Sequence, residues 1–485
     1  MNTNIYKTLR NLFALSLLCV LCASCNDWLD VDPKSQIKEE DHFSREGGFK
    51  DQLTGVYTKM TTADMYGLNM GIGFVEVLSH SYDIDPNGNW RYANDFDYTY
   101  TRSEDVIKQI WQGCYSCIAN CNILLRNIND ATEDMFEEKS LQIYRGEARG
   151  LRGFLHLELM RLFACAPAMD NNAPGVPYVT EYSTTVTSQK TVGETMQMVV
   201  NDLTEAFNDL VTDSVNQYPY GNGVAYTVQQ NNFNFLACAA ALSRAYLWMG
   251  DKDNALRYAN VVIDWLNNHW SPGIYWIHYT NMQSTNRNEL DCSFSQEHLF
   301  RLVINDWEDI GNVLFHKEAG SSALTPSEAT AQDIYEQDKG YGNDYRLLKS
   351  YEQDGEKRFL AKFWYNEGSR YNNIYPLIRM TEAFYIAAEC LKTSDPAKAV
   401  GLLNAVRDNR GISLYPLSEN LTADQIQDEI YKEYRKEFVG ECGQLFFYYK
   451  RLNLRDIKGS SKQGSKQVYV LPIPANDQEF GGYSN

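Results

Sequence analysis

Apolar residues recur every three or four positions over long stretches of the chain, and this spacing is typical of amphipathic helices. The clearest stretch runs from about residue 144 to 163 and ends before Pro167, as expected for a helix that meets a proline. Its apolar stripe consists of Ala148, Leu151, Leu155, Leu159 and Leu162. Helices are also predicted over 104–130 and after Thr191, where Glu194 completes a capping box. The chain is therefore predicted to be mainly α-helical.

Two segments, 233–266 and 378–408, each have the pattern of two helices joined by a tight turn. In both, an apolar residue and an alanine stand thirteen positions apart: Leu242 and Ala255, and Ile386 and Ala399. Small residues at these offsets let antiparallel helices approach closely, as in tetratricopeptide repeats. The two copies are too few and too far apart for a simple solenoid.

The segments 61–103 and 267–375 show little periodicity and are rich in Gly, Asn, Asp and aromatic residues. Irregular segments of this length in a compact protein usually carry function. We therefore look for a binding site in these two segments.

Composition narrows the class of ligand. The chain has 485 residues and a net charge of −19, and 33 of its residues are Tyr. So negative a balance argues against binding to nucleic acid, which requires a basic surface. Tyr supplies both a flat apolar face and a hydroxyl group, which is useful for holding a polar ligand.

The first 24 residues resemble a bacterial lipoprotein signal peptide. A basic start and a short apolar run at 12–21 lead to Cys25, and the run is too short to span a bilayer. Small residues before Cys25 resemble a lipobox, in which that cysteine is lipidated and becomes the mature N-terminus. Cys22 departs from the pattern, since an aliphatic residue usually stands there. An ordinary secretory signal is the alternative.

Three of the eight later cysteines, Cys114, Cys117 and Cys121, are close enough in sequence to suggest a metal site. Together with Ile110 and Leu124, however, they fall on one face of a helix. Cysteine is a common small core residue. We expect these side chains to pack in the core, and we predict no metal site.

Two loop stretches, 87–94 and 275–307, combine aromatic rings with polar side chains, the mixture that a sugar-binding surface uses. The predicted stacking residues are Trp90, Tyr92, Trp276 and Trp307. The predicted polar partners are Asn89, Arg91 and Asp306. The alternative for each residue is that it anchors its loop to the body of the protein.

Asp83–Gly88 resembles the start of a calcium-binding EF-hand loop, but Asn94 stands where a bidentate Glu is needed. A plain turn rich in Asp, Asn and Gly is the preferred interpretation. No cofactor is predicted.

An enzyme is the competing class of function. Glycosidases need two carboxylates, but a chain with 63 acidic residues offers such pairs everywhere, so their presence indicates nothing. The sequence contains no Gly-x-Ser-x-Gly, no His-Glu-x-x-His and no phosphate-binding loop. We therefore predict a binding protein. A purely structural or adhesive surface protein is a third possibility.

The C-terminal third resembles the SusD/RagB family of outer-membrane nutrient-binding lipoproteins. The resemblance lies in Leu377–Ala383, Leu403–Arg407, Ile430–Arg451 and Tyr469–Pro474, and at the front in Cys25–Asp30. These motifs follow the order of the family over nearly the whole chain. Cys442 and Tyr448 depart from the family pattern at positions that are structural in the family. The acidic stretch after Cys25 is similar to the surface-export signal of Bacteroidetes lipoproteins.

This resemblance implies a SusD-like fold, in which four tetratricopeptide-like helix pairs support a loop-rich half that holds the ligand. It implies one domain over 25–485, with an N-terminal part at about 26–215 and a C-terminal part at about 216–485. It also implies a lipid anchor in the outer membrane, facing the exterior, and a TonB-dependent SusC-like transporter as partner. The cargo would be an oligosaccharide or, as in RagB-like members, a peptide. A surface glycoside hydrolase is the less favoured alternative.

Overall fold

The structure is a computed structural model of the chain. It describes residues 39–137, 139–211, 230–268, 274–305, 307–315, 317–355, 357–363, 369 and 371–485. The predicted signal peptide at 1–24, the lipidation site Cys25 and the predicted ligand residue Asp306 lie outside these residues. The chain divides into two compact units, Met1–Gly48 and Phe49–Asn485. In the described part of the first unit, Glu39–His42 forms a short helix.

The architecture is mainly helical, as predicted. The helices of eight or more residues are Glu46–Met60, Thr101–Asp130, Ser140–Phe163, Val192–Leu210, Phe235–Met249, Lys252–Asn268, Trp307–Phe315, Met380–Leu391, Pro396–Asp408, Ala423–Glu437 and Gln444–Arg451. Shorter α-helical segments are Phe74–Val77, Arg91–Asn94, Pro167–Asp170, Glu328–Ile334, Tyr345–Leu348, Lys466–Tyr469 and Ala475–Gly481. Short 3₁₀ turns are Glu133–Met135, Tyr279–Met282, Arg287–Glu289, Ser295–Glu297, Lys317–Ser322 and Gln337–Lys339.

Both predicted helix pairs are confirmed. The first consists of Phe235–Met249 and Lys252–Asn268, and the second of Met380–Leu391 and Pro396–Asp408. In the first pair, the Ser243 hydroxyl donates a 2.9 Å hydrogen bond to the carbonyl oxygen of the buried Ala255. A backbone oxygen can be reached by so short a side chain only because alanine allows the helices to approach closely.

Helix Ser140–Phe163 is buried more completely than its predicted stripe implies. It packs against both Thr101–Asp130 and Val192–Leu210, and nearly all of its second half is buried. Gly150 allows this close packing, since a methyl group there would lie 2.5 Å from the ring of Phe233. The sequence indicated a helix with one buried stripe, and the structure shows a helix whose second half is buried on nearly all sides.

Two antiparallel strand pairs lie within the long irregular segment and at its end. Strand β1 (His298–Val303) pairs with β4 (Ile374–Arg379), and β2 (Tyr351–Asp354) pairs with β3 (Lys357–Leu360). The Ile304 amide donates to the Asn373 carbonyl oxygen at 2.8 Å directly beyond the first pair. The long excursion between β1 and β4 therefore begins and ends at neighbouring points.

The cysteine cluster lies in the core, as predicted. Cys114, Cys117 and Cys121 are fully buried on helix Thr101–Asp130, and burial raises the pKa of Cys117 to about 12. The sulfur atoms of Met65 and Met70 lie 3.6 Å from those of Cys117 and Cys114. These thiols therefore have the surroundings of packing residues.

None of the helices that the structure describes has both the length and the apolar character that a membrane crossing requires.

Candidate functional site

The predicted ligand residues of the first loop stretch lie against a distant part of the chain. The Asn89 side-chain amide donates to the Ser322 hydroxyl at 2.8 Å, and the Trp90 indole N–H donates to the Ser322 carbonyl oxygen at 3.1 Å. The Asp83 amide donates to the Thr325 carbonyl oxygen at 3.0 Å. These contacts hold the two irregular segments together.

Trp90 serves chiefly as an anchor in this arrangement. Its side chain is 9 % exposed, and it lines a cavity of only 20 Å³, which Asn89, Tyr92 and Tyr100 also line from their inner sides. A cavity of that size holds at most one water molecule and no sugar ring. The interpretation as a loop anchor therefore gains support over the stacking role that the sequence suggested.

Arg91, Tyr92 and Tyr100 form a neighbouring aromatic group that is partly exposed to solvent. The Tyr92 ring stacks on the Tyr100 ring, with the ring centroids 3.3 Å apart and the planes inclined by 15°. The Arg91 guanidinium lies 4.2 Å from the centroid of the Tyr92 ring and donates to its hydroxyl at 2.6 Å. Tyr100 is 36 % exposed, so it is the most accessible ring of the group. We call Asn89, Arg91, Tyr92 and Tyr100 the tyrosine corner.

Helix packing explains why this corner is rigid. Arg91–Asn94 is a single helical turn that places Arg91 and Tyr92 next to each other, and Tyr100 immediately precedes the long helix Thr101–Asp130. Arg91 also donates to the carbonyl oxygens of Asn87 and Gly88, each at 3.3 Å. The guanidinium is therefore held in place before any ligand arrives.

Asp83–Gly88 forms a turn, which is the interpretation that the sequence favoured. The Asn87 amide donates to a carboxylate oxygen of Asp85 at 2.8 Å, and the Ser327 amide donates to one of Asp83 at 2.5 Å. Both carboxylates thus already accept hydrogen bonds from backbone amides. Within the described residues, no group of three or more His, Cys, Asp or Glu side chains could hold a metal ion.

Trp276 belongs to a second aromatic area. It is half-buried, its ring centroid lies 5.0 Å from that of Phe384, and the Arg410 guanidinium lies 5.8 Å from it. Nearby, Tyr279 is 55 % exposed and its ring lies 5.8 Å from that of Tyr345. In the parts of the chain that are described, no hydrogen bond, ion pair or ring contact joins Trp276 to the tyrosine corner.

Trp307 is a core residue in this structure, which argues against the stacking role predicted for it. The side chain is 1 % exposed, and its ring lies 5.1 Å from Tyr375 and 6.2 Å from Phe363. It opens helix Trp307–Phe315, where its amide donates to the Asn373 side chain at 3.3 Å. Because packing covers the ring, it offers no face to a ligand in this conformation.

A network of buried ion pairs supports the second aromatic area. Glu297 accepts hydrogen bonds from the Ile277 amide at 3.0 Å and from the Arg410 guanidinium at 2.9 Å. Arg410 and Arg379 both donate to Glu437. Although burial alone would raise it, these two guanidinium groups hold the pKa of Glu437 well below its usual value. The network ties the segment that carries Trp276 to the helical frame.

Two carboxyl groups have the raised pKa that a general acid requires. Burial raises the pKa of Glu76 to about 7 and that of Asp291 to about 6. Both are buried, however, and both accept backbone hydrogen bonds: Glu76 from Gly440 and Gly443, Asp291 from Ser295. Their altered pKa values therefore follow from structural roles, and neither carboxyl group faces a cleft.

Tyr100 and Ser322 are members of this region that sequence reasoning missed. Tyr100 lies just outside the stretch 87–94, within the aromatic-rich segment Tyr98-Thr99-Tyr100, and that richness was the available signal. Ser322 is more than 230 residues from its partners in the chain, and nothing in its own sequence surroundings indicates the contact.

Two family models match the chain. Residues 27–247 match the model described as "Starch-binding associating with outer membrane". Residues 345–479 match the model described as "SusD family". A curated relative, the SusD-like protein P25 of Formosa agariphila, is 23 % identical over 166 residues. That alignment spans 33 % of this chain and only 31 % of the relative.

Solved structures share the fold. A SusD superfamily protein from Bacteroides thetaiotaomicron is 23 % identical with a TM-score of 0.68, and the match covers 90 % of this chain and 98 % of that one. A SusD-like carbohydrate binding protein from Bacteroides vulgatus is 18 % identical with a TM-score of 0.69, over 90 % of this chain and 96 % of that one. At sequence identities this low, the likeness shows a shared fold and nothing further.

Proposed function

Because this chain belongs to the SusD/RagB family, we propose that it is a cell-surface lipoprotein that captures nutrient oligosaccharide for an outer-membrane transporter. It binds the oligosaccharide without cleaving it and passes it to a TonB-dependent, SusC-like partner. The description of the family model that matches residues 27–247, which names starch binding and the outer membrane, supports this class of cargo and this location.

The tyrosine corner is the observation that carries the proposal. Sugars present C–H groups on the faces of their rings and hydroxyl groups around the edge, so they bind to aromatic faces flanked by hydrogen-bonding groups. Tyr100 supplies such a face. The Arg91 guanidinium lies against Tyr92, the ring on which Tyr100 stacks, and the exposed Asn89 is a further hydrogen-bonding group of the corner. The stacking on Tyr92 fixes the ring, which lowers the entropy lost when a ligand is bound.

Capture without cleavage agrees with the surroundings of the carboxyl groups. A glycosidase needs one carboxylic acid poised to protonate a leaving group and a second carboxylate near it in the same cleft. The two carboxyl groups with pKa values raised to about 6 and 7, those of Asp291 and Glu76, are buried beneath backbone donors. A structural role therefore fits these two groups better than a role in catalysis.

A diacylglyceryl group on Cys25 would anchor the protein to the outer membrane, with the folded body facing the exterior. The acyl chains of such an anchor would provide the apolar surface that holds a protein at a membrane. The transporter partner is inferred from membership of the family, in which such lipoproteins cover the mouth of the transporter.

Calorimetry with the Cys25→Ser chain, which has no lipid, tests the proposal. We expect it to bind at least one neutral oligosaccharide from a panel of starch-like, plant and host glycans. We also expect chromatography to show the same oligosaccharide, unshortened, after prolonged incubation. Binding of peptides alone would favour RagB-like peptide capture, and shortened products would favour a hydrolase. Either result would overturn the proposal.

A further inference from the structure

A cleft of 890 Å³ opens in the helical frame, where the ends of several helices meet. Its lining includes Thr191, Glu194, Trp248, Lys252, Lys392 and Arg451. None of the predicted ligand residues that the structure describes lines this cleft. It is therefore separate from the tyrosine corner, and the proposed function does not account for it.

The cleft has a surplus of positive charge. The Arg451 guanidinium is matched by Glu389, to which it donates twice, at 2.8 and 2.6 Å. Lys392 donates to the neutral amide of Gln427, and Lys252 forms no ion pair with any residue that the structure describes. Burial lowers the pKa of Lys392, Glu389 and Asp424 raise it, and the neighbouring cations Lys252 and Arg451 lower it further. These groups would repel one another less with an anion between them.

Glu194 and Glu389 reduce this surplus, but the three cations Lys252, Lys392 and Arg451 still outnumber these two carboxylates in the lining. Glu194 accepts hydrogen bonds from the amide and the hydroxyl of Thr191, so its carboxylate is held at the start of helix Val192–Leu210. Helix Lys252–Asn268 begins at the cleft, and the positive end of its dipole adds to the charge of Lys252. Local positive charge stands out on a chain whose net charge is −19.

Trp248 adds an aromatic side chain to the lining. It is only 4 % exposed, and its indole N–H has no hydrogen-bond partner among the described residues. Buried donors without a partner cost free energy. The nitrogen atom has almost no accessible surface, so a bound molecule would accept this hydrogen bond only after the indole turns towards the cleft.

The remaining lining sets the class of that molecule. Asn171 and Gln197 place amide groups at the exposed rim, where they can bond hydroxyl groups, and Leu247 and Met249 supply apolar surface. We propose that the cleft binds an anionic saccharide, which carries a carboxylate or a sulfate group between Lys252 and Lys392. This is a second binding site, beyond the proposed capture site.

The test is calorimetry on the Cys25→Ser chain with four probes. They are trigalacturonate, a trisaccharide with one sulfate ester, neutral maltotriose, and triglutamate as an acidic peptide. We expect one or both anionic saccharides to bind at least tenfold more tightly than maltotriose at this site. Which of the two binds more tightly identifies the anionic group. Rising salt should weaken the binding, since part of it is electrostatic.

Variants locate the site. Lys252→Gln combined with Lys392→Gln should weaken binding of the anionic saccharide at least tenfold. Trp248→Phe, which keeps a ring and removes the N–H donor, should weaken it severalfold. Lys398→Gln, an exposed lysine outside the cleft, is the matched control and should change nothing. If the double variant does not fold, as judged by circular dichroism, Lys252→Gln alone serves, because Lys252 is exposed.

Three results would overturn this inference: neither anionic saccharide binds, the lysine variants bind as the parent chain does, or only triglutamate binds. The last result would assign the cleft to an acidic polypeptide. Failure here is distinguishable from failure of the proposed function, because Tyr100→Ala should weaken binding of a neutral oligosaccharide and leave binding in the cleft unchanged.

Discussion

Glu297 and Arg410 form a bidentate ion pair in which neither side chain reaches solvent. Arg410 Nη1 lies 2.9 Å from Glu297 Oε1, and Nη2 lies 2.5 Å from Oε2. The same carboxylate accepts the Ile277 amide, so the pair joins the loop that carries Trp276 to the end of helix Pro396–Asp408. The position of this aromatic area therefore depends on a buried charge.

Glu297→Gln should destabilise the fold strongly. Removing one charge leaves Arg410 with less compensation in a buried site, which typically costs about 3–5 kcal/mol. Urea denaturation measures the change in the free energy of unfolding, and the exposed Glu419→Gln is the matched control. If Glu297→Gln loses no more free energy of unfolding than the control does, the remaining carboxylates of the network balance the charge of Arg410 without Glu297.

His156 should make the protein less stable in mild acid. It is fully buried, its Nε2 accepts the Val179 amide at 3.0 Å, and its Nδ1 lies 2.9 Å from the Arg152 carbonyl oxygen. Burial lowers its pKa to about 3, so the folded state holds a neutral ring while the unfolded chain takes up a proton below about pH 6.5. Stability is therefore lost as the pH falls from about 6.5 towards 3.

The expected size follows from linkage. Between pH 6.5 and 5, the parent chain should lose about 1.6 kcal/mol more than His156→Gln, since the slope approaches about 1.4 kcal/mol per pH unit only well below pH 6.5. Urea denaturation at the two pH values measures both losses. Equal losses in the two proteins would mean that His156 already carries a proton in the folded state.

Tyr100→Ala should weaken binding of the neutral oligosaccharide. Loss of an aromatic stacking face costs about 1 kcal/mol, which corresponds to about fivefold in affinity. Tyr182→Ala removes a more exposed tyrosine that lies outside the tyrosine corner, and this variant should bind as the parent chain does. Calorimetry measures both affinities. If the two variants bind the oligosaccharide equally well, the tyrosine corner is not the binding site.

Trp307→Ala should lower stability and leave affinity alone. Deleting a fully buried indole side chain costs about 3–5 kcal/mol through lost burial and the cavity left behind. Trp307→Phe keeps the contacts with Tyr375 and Phe363 in part, so it should unfold at an intermediate urea concentration. An affinity lowered in Trp307→Phe at unchanged stability would show that the ring reaches the ligand after all.

Cys25→Ser should release the protein from the membrane. The variant loses the proposed acyl anchor, and none of the helices in the described residues could cross a bilayer in its place. Fractionation of cells followed by detection of the protein should find it in the membrane fraction for the parent chain and in the soluble fraction for the variant. A protein that stays in the membrane fraction without Cys25 would point to another means of attachment.

The sequence predicted those parts of the fold that depend on local pattern. Thr191 and Glu194 form the predicted capping box, with both reciprocal hydrogen bonds present. The alanines at the two helix crossings, Ala255 and Ala399, are buried as expected. These features were readable because the interacting residues lie within one or two turns of each other or at fixed offsets.

The rest depends on contacts between distant residues. Nothing around Trp307 indicates which side of its loop faces the core, so an aromatic residue in an irregular segment was open to two interpretations. The stack of Tyr92 on Tyr100 requires a turn between the two residues that no simple period describes. The guanidinium groups that meet at Glu437 come from a short helix (Arg346), a strand (Arg379) and a loop (Arg410). In the sequence, each looks like an ordinary surface charge.

The antiparallel pairing of β1 with β4, closed by the hydrogen bond between Ile304 and Asn373, has a consequence for how such proteins can diversify. The whole segment between these two points therefore leaves the helical part of the protein and returns to it at one place, as an insertion does. Lengthening one of its exposed loops would cost little more than the entropy of closing a longer loop. Replacing the whole segment would cost more, because Arg346 donates to Glu433 and Glu437 and Trp307 packs against Tyr375.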